Sequence, residues 1–286
     1  MALLSLPTNY PGDAEPVVAF EPDGPVNGLS LFRTIPYNQP SYTGEVPLYY
    51  VTSADEPSVG DKTEGNAPAE SAIAFTRVLR TWRQAEVRIP FTEDGLALPE
   101  GAFESVGDVN WHTEFSANPV YRRVVAHVDE QIQLQIVRNL ISDTTHGLDG
   151  AAGQFQSVSG NYNSGANVHD LFTGFIKDGD GLADGIDNIN LIANTSWWNG
   201  TVSYQFRANA PVRPQYTVWP MEACPESQVY VVADRAVEVH ISQLFARIGW
   251  SGSQFEQGEY TIRFSRYYIY AVVEPRLARY ITGFTI

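Results

Sequence analysis

A chain of 286 residues with 43% apolar and 12% aromatic side chains can bury a core in one large domain or two small ones, which excludes a disordered polymer. Thirty-three acidic residues against eighteen basic ones leave a formal net charge of −15, the wrong sign for gripping nucleic acid by counterion release. A single cysteine, Cys224, excludes an intrachain disulfide framework and reads as a small buried hydrophobe.

In chain order, the start MALLSLPTNYPGDAEP has no basic stretch and meets Pro7 too soon for a signal peptide. No window approaches eighteen consecutive apolar residues, so the expectation is a soluble chain made inside a cell. Residues 1–45 hold Pro7, Pro11, Pro16, Pro22, Pro25, Pro36 and Pro40, a density that opposes helix and leaves few donors for a sheet. An extended arm is expected. Its scattered apolar residues, among them Leu29, Leu31, Phe32 and Tyr37, indicate that it lies on its own chain or on a neighbour.

Val46–Val51 reads as a strand, followed by an acidic stretch with Asp55, Glu56, Asp61, Glu64 and Glu70. From Ser71 to Thr92 apolar residues recur at period two: Ile73, Phe75, Leu79, Ala85, Val87 and Ile89 share one parity. Arg80, Trp82, Gln84, Glu86 and Arg88 take the other. One strand of that length would reach ~65 Å, so it, or two strands with a bulge, must project as a hairpin.

Asn118-Pro119 pairs a capping residue with proline at the first helical position. The row Val120, Val124, Val128, Ile132, Ile136, Leu140 that follows keeps i, i+4 spacing, widened by Val125, Val137 and Ile141. A helix of about 24 residues, roughly 36 Å long, is predicted. Residues 147–165 read as a loop. Beyond it come a short helix at 169–176, a strand at 190–193, an ambiguous helix at 196–206, and strands at 215–219 and 228–232. These mixed elements predict a compact α/β unit. Strands at 237–241, 244–250 and the long run 259–273 follow, and 277–286 makes a last strand.

Chemistry is sparse. Gly60-Asp-Lys62-Thr63 lacks the upstream glycine of a phosphate loop, and no nucleophile elbow or zinc-spaced Cys/His set occurs. The histidines are dispersed, and His127 and His240 suit hydrogen-bonded structural roles. Asp178, Asp180, Asp184 and Asp187, interleaved with glycines, resemble a calcium loop. Placing Asp180-Gly181 at loop positions five and six, however, puts Ile176 where a carboxylate belongs, and a solvated turn explains the run equally well. Trp197-Trp198 could form a sugar platform or simply be buried. No cofactor and no catalytic residue is expected.

The order of elements, namely an extended arm, a projecting hairpin, one long helix, a small α/β unit and a very long late strand, resembles the α+β Hong Kong 97 fold of tailed-virus major capsid proteins. Local text is similar too. Residues 59–75, VGDKTEGNAPAESAIAF, look like that family's hairpin stretch; Arg83–Glu93 resembles the return of the strand to the body. Val273-Glu-Pro-Arg-Leu-Ala278 resembles the family's C-terminal ending, displaced by one residue.

The resemblance implies a N-arm at 1–45, an E-loop hairpin at 46–92, a peripheral domain at 93–148 and 241–271 with the long helix as spine, and an axial domain at 149–240 and 272–286. It implies an icosahedral shell of hexamers and pentamers around double-stranded DNA, located in the virion and made in the host cytoplasm. Its partners would be copies of itself, a portal, and scaffolding or decoration proteins, with no membrane and no catalysis. Arg77, Arg80, Arg83 and Arg88 would meet acids such as Glu64 and Glu70 of neighbouring subunits, unless they form only a solvated basic face. With Lys62 the one hairpin lysine, set among acids that favour its charged form, the contacts are expected to be non-covalent. Two other readings stay open: an encapsulin-type compartment, whose interior-lining first helix the proline-rich start opposes, and a calcium- or sugar-binding β-rich protein.

Overall fold

In the computed structural model, the described residues are 28–37, 44–50, 76–92, 118–149, 158–159, 188–196, 215–222, 224–226, 228–233, 236–249, 259–274 and 277–282. They form a 3-10 turn at Gly28–Leu31, strands β1 (Arg33–Pro36), β2 (Glu45–Tyr50), β3 (Thr76–Thr81) and β4 (Arg83–Thr92), and helix α1 (Pro119–Ser142). Then come β5 (Val158–Ser159), β6 (Asn188–Ala193), β7 (Gln215–Pro220), β8 (Gln228–Ala233), β9 (Val237–Ile241), β10 (Phe245–Gly249), β11 (Glu259–Val272) and β12 (Ala278–Thr282). The predicted helix at 169–176 lies outside the described residues, as does the ambiguous helix at 196–206 apart from Ser196.

The chain divides into two compact units. The first comprises residues 1–28, 83–136 and 242–268; the second comprises 29–82, 137–241 and 269–286.

In the first unit, β11 is flanked by two antiparallel partners, β10 on one side and β4 on the other. Period-two burial follows from the pleat: Ala85 and Phe91 of β4 and Ile262 and Phe264 of β11 point inward. Helix α1 starts where the sequence predicts. The side-chain oxygen of Asn118 accepts from the backbone N–H of Val120 at 2.9 Å and of Tyr121 at 3.1 Å, satisfying two donors that helix geometry orphans. Its stripe of Val120, Val124, Val128, Ile132 and Ile136 is buried, joined by Tyr121, which packs between Phe91 and Phe264 at centroid distances of 6.4 and 6.3 Å. Burial pushes the Tyr121 hydroxyl's pKa upward, so this ring serves as a neutral core residue.

The second unit is built on a mixed sheet in the order β5-β12-β8-β6-β7. Ile189 through Ala193 and Val229 through Ala233 are buried without alternation, the signature of strands covered on both faces. Cys224 is 1% exposed with its thiol toward the carbonyls of Ile192 and Gln228, and burial raises its pKa to about 12, so it is the inert hydrophobe the sequence suggests.

Two expectations are sharpened. Part of the segment read as an extended arm is folded on its own chain, one of the two supports the sequence left open: Leu29, Leu31 and Phe32 are buried, and β1 pairs in parallel with β9. The reason is local, because residues 26–35 contain no proline, and Pro36 ends the strand where its missing donor costs nothing. Asn190 fixes this piece by donating to the Leu31 carbonyl at 3.1 Å, so it lies on its own chain.

The second concerns the hairpin. Its later limb is two strands, one of the two readings the sequence offered, but the single parity is corrected, because the inward face changes at Trp82: Ala85 and Phe91 are buried beyond the break, whereas before it Leu79 is 44% exposed and Trp82 itself is 8% exposed. A one-residue offset sends every following side chain to the opposite face, which a single alternation read across the break cannot capture.

Candidate inter-subunit surface

β2 and β3 form a two-stranded antiparallel ladder in which Val46 opposes Arg80, Pro47 opposes Leu79, Leu48 opposes Val78 and Tyr49 opposes Arg77. Gly44, with φ of 86°, leads into β2 through a left-handed conformation that a side chain would resist. One face of this ladder packs, with Val46 and Leu48 buried. The other carries Glu45, Pro47, Tyr49, Arg77, Leu79 and Thr81, all exposed. Tyr49 at 61% and Leu79 at 44% are the exposed large hydrophobics among the described residues, and both stand on this face.

The four arginines singled out from the sequence are therefore not one row. Arg77 lies on the exposed face of β3, whereas Arg80 lies on the other face beside Val46 and donates to the adjacent Leu79 carbonyl at 3.2 Å. Arg83 and Arg88 belong to β4, paired with Tyr268 and Arg263 of β11 in the first unit. Arg88 is exposed and sits 3.6 Å from Glu86 of its own strand. Glu64 and Glu70 lie outside the described residues, as do Asp178, Asp180, Asp184 and Asp187. Among the described residues no group of three His, Cys, Asp or Glu side chains could hold a metal ion, and no helix is long and apolar enough to cross a membrane.

At the root of the hairpin, Tyr37 holds the folded end of the arm against two aromatic neighbours. Its ring lies 5.5 Å from Trp82 and meets His240 edge-on at 5.8 Å, while its backbone N–H donates to Ile241 at 2.9 Å. Beside it Glu238 accepts an ion pair from Arg33 at 3.1 Å and faces the His240 Nε2 at 3.6 Å. The neighbouring His240 side chain, aided by the attraction of Arg33 and opposed by burial, holds the Glu238 carboxyl below its ordinary pKa.

Sequence reading missed two further elements. Leu79 was placed on the packed parity, and Tyr49 on β2 was not distinguished from its neighbours; an apolar residue's exposure depends on which partner strand covers it. The second is Arg266. Its guanidinium grips Asp129 on α1, with Nη2 to Oδ2 at 2.8 Å, and also donates to the Ser242 carbonyl, whose hydroxyl accepts from the Tyr267 N–H at 3.0 Å. No sequence motif announces a pair 137 residues apart.

By sequence, no protein-family model and no curated protein matches the chain. By structure, it is similar to a chain from Microbacterium phage Oxtober96, at 14% identity and a TM-score of 0.57, covering 98% of this chain and 97% of that one. It is similar also to a chain from Mycobacterium phage Bobi, at 13% identity and a TM-score of 0.56, covering 91% of each. A third likeness is to the satellite phage P4 procapsid that includes a size determination protein, at 10% identity and a TM-score of 0.52, covering 90% of this chain and 95% of that one. Since the overlap with these structures is near-complete, the chain has the fold of tailed-phage capsid proteins.

Proposed function

We propose that this chain is the major capsid subunit of a tailed virus, a structural protein that assembles into hexamers and pentamers of an icosahedral shell enclosing double-stranded DNA. The observation that carries the reading is the fold likeness to phage capsid structures across nearly the whole chain. The hairpin supplies physical support. A two-stranded ladder with Tyr49 and Leu79 exposed is marginal alone in water, and burying that face against another subunit would stabilise both.

In this reading residues 46–92 are the E-loop, α1 is the spine helix of a peripheral domain, and the β5-β12-β8-β6-β7 sheet belongs to the axial domain. Residues 1–45 strap neighbouring subunits through their first part and anchor to their own subunit through Leu29–Tyr37. Arg77, Arg80, Arg83 and Arg88 meet acids of neighbours such as Glu64 and Glu70. Each exposed pair contributes only about 0–1 kcal/mol, but repetition over a closed shell multiplies it. Portal, scaffolding and decoration proteins are the further partners, and the particle is the chain's location.

Negative-stain microscopy and light scattering of the purified chain test the proposal. Closed, roughly spherical particles are expected, dissociating in detergent to one band of the 31.7 kDa subunit. A stable monomer under every salt condition, with virion partners added, refutes it. Particles that exclude DNA and enclose protein cargo would instead favour an encapsulin-type compartment.

A further inference from the structure

Residues Leu29–Tyr37 are held on their own unit by two devices of different chemistry. The inner one is apolar: Leu29, Leu31 and Phe32 are 2–4% exposed, and the buried Asn190 side chain donates to the Leu31 carbonyl. The outer one is polar and aromatic. β1, four residues long, stands at the end of its sheet with β9 as its neighbour. Its register sets Arg33 opposite Glu238 and Ile35 opposite His240, and Tyr37 extends the ladder by donating to Ile241. A ladder this short, interrupted by the missing donor of Pro36, holds weakly through its backbone, so the side chains on it decide whether it stays docked.

Those side chains form a continuous line from a carboxylate to the hairpin. Glu238 presents Oε1 to Arg33 at 3.1 Å and Oε2 to the His240 Nε2 at 3.6 Å. His240 is 9% exposed, its Nδ1 buried without a hydrogen-bond partner, and it meets the Tyr37 ring edge-on. The Tyr37 ring in turn lies 5.5 Å from that of Trp82, the residue that follows β3. The charged and titratable groups that face Glu238 are His240 of its own strand and Arg33 of β1. On β11, the next strand of the sheet, Arg266 is held by Asp129 and the Tyr267 ring by Phe245, while Glu274 is tied through its backbone to Ala236 ahead of β9.

We propose that Arg33–Tyr37 is an acid-released latch, and that Tyr37 joins it to the root of the hairpin as one switch. With Glu238 ionised the segment stays docked on β9 and Tyr37 stays against Trp82. When Glu238 takes up a proton the segment peels back to the apolar anchor at Leu29–Phe32 and withdraws Tyr37 from Trp82. Docking holds the Glu238 carboxyl below its ordinary pKa, so the docked form binds the proton less readily than the released one. Docking is therefore favoured above the ordinary glutamate range and weakens as pH falls from 4.5 toward the lower, docked value. Arg33, Tyr37, Trp82, Glu238 and His240 all belong to the second unit of a single chain, so the switch operates in the free subunit whether or not shells form.

The test uses the full-length chain labelled with 5-fluorotryptophan, with the Trp82 resonance assigned by Trp82→Phe. In the parent that resonance should move as pH falls below 4.5. In Glu238→Gln, which imitates the protonated carboxyl, it should already be displaced in the same direction at neutral pH and lose its response to acid in that range. Amide exchange of Thr34, Ile35 and Tyr37 at neutral pH should rise about tenfold in this variant, with Leu29–Phe32 and β8 unchanged. Arg33→Ala, at an exposed position, should reproduce both effects in part, and Tyr37→Ala should abolish the acid response of Trp82. A Trp82 resonance in Glu238→Gln that matches the parent at every pH overturns the proposal. So does faster exchange at Thr34–Tyr37 with Trp82 unmoved, which separates latch from hairpin, and so does exchange that rises equally in β8, which makes the loss global.

Discussion

Two β regions of the second unit satisfy the same backbone in opposite ways. In the β5-β12-β8-β6-β7 sheet, Ile189–Ala193 and Val229–Ala233 are buried along their whole length, so the sheet's apolar surface is closed by its own chain. The β2–β3 ladder packs only Val46 and Leu48 and leaves Tyr49 and Leu79 in water on its other face. The first region obtains its stability at the time of folding; the second holds apolar area in reserve. That difference is what a subunit needs if it is to fold alone and then be stabilised by neighbours.

The comparison breaks most sharply through the core that folds without help. Ile136 on α1 is fully buried, and Ile136→Ala should cost about 2–5 kcal/mol in a urea melt. A smaller loss, under about 1 kcal/mol, would mean that α1 is held by something other than its apolar stripe.

Next in size is the Asp129–Arg266 pair, half-buried and carrying charge-assisted hydrogen bonds. Asp129→Ala strips the guanidinium of its partner and should cost roughly 1.5–3 kcal/mol. The measurement that sharpens the assignment is a double-mutant cycle with Arg266→Ala, where the coupling should account for most of the single loss.

A smaller effect attaches to Glu238. Its folded pKa is lowered, so the unfolded chain binds a proton more readily, and the stability this group contributes is complete above the ordinary glutamate range. That contribution is lost as pH falls from about 4.5 toward the folded value. Glu238→Gln should flatten this part of the acid-stability curve, and Arg33→Ala should flatten it partly. A curve unchanged by Glu238→Gln would remove the carboxylate from the account.

The smallest effect on folding is expected where the effect on assembly is largest. Tyr49→Ser with Leu79→Ser should shift the melt of the free subunit by no more than about 0.5 kcal/mol, because both side chains are already in water. Particle yield at a fixed concentration should fall severalfold. Equal yield would show that this face is not buried on assembly.

What could be read from the sequence divides along the same line. α1 was legible because Asn118-Pro119 and the Val120-to-Leu140 row are local signals, and the cap and the stripe both occur as written. Strands β2, β6, β8, β9 and β11 were legible from β-branched and aromatic runs. The parity change at Trp82 was not, since which face of a strand is covered depends on its partners: β3 pairs with β2, and β4 with β11. Nor was the docking of Leu29–Tyr37, which rests on contacts such as Asn190 to Leu31, 159 residues apart. The arginine candidates suffered most. Four residues that form one basic strand on paper are divided between the β2–β3 and β4–β11 ladders.

The central claim, that the β2–β3 ladder is completed by another subunit, is tested most directly by hydrogen exchange of peptides covering 45–50 and 76–82 in free and assembled protein. The account predicts fast exchange in the free subunit and at least tenfold slowing in the particle, while peptides from β6 and β8 are strongly protected in both. Equal exchange of the hairpin peptides in the two states would contradict it.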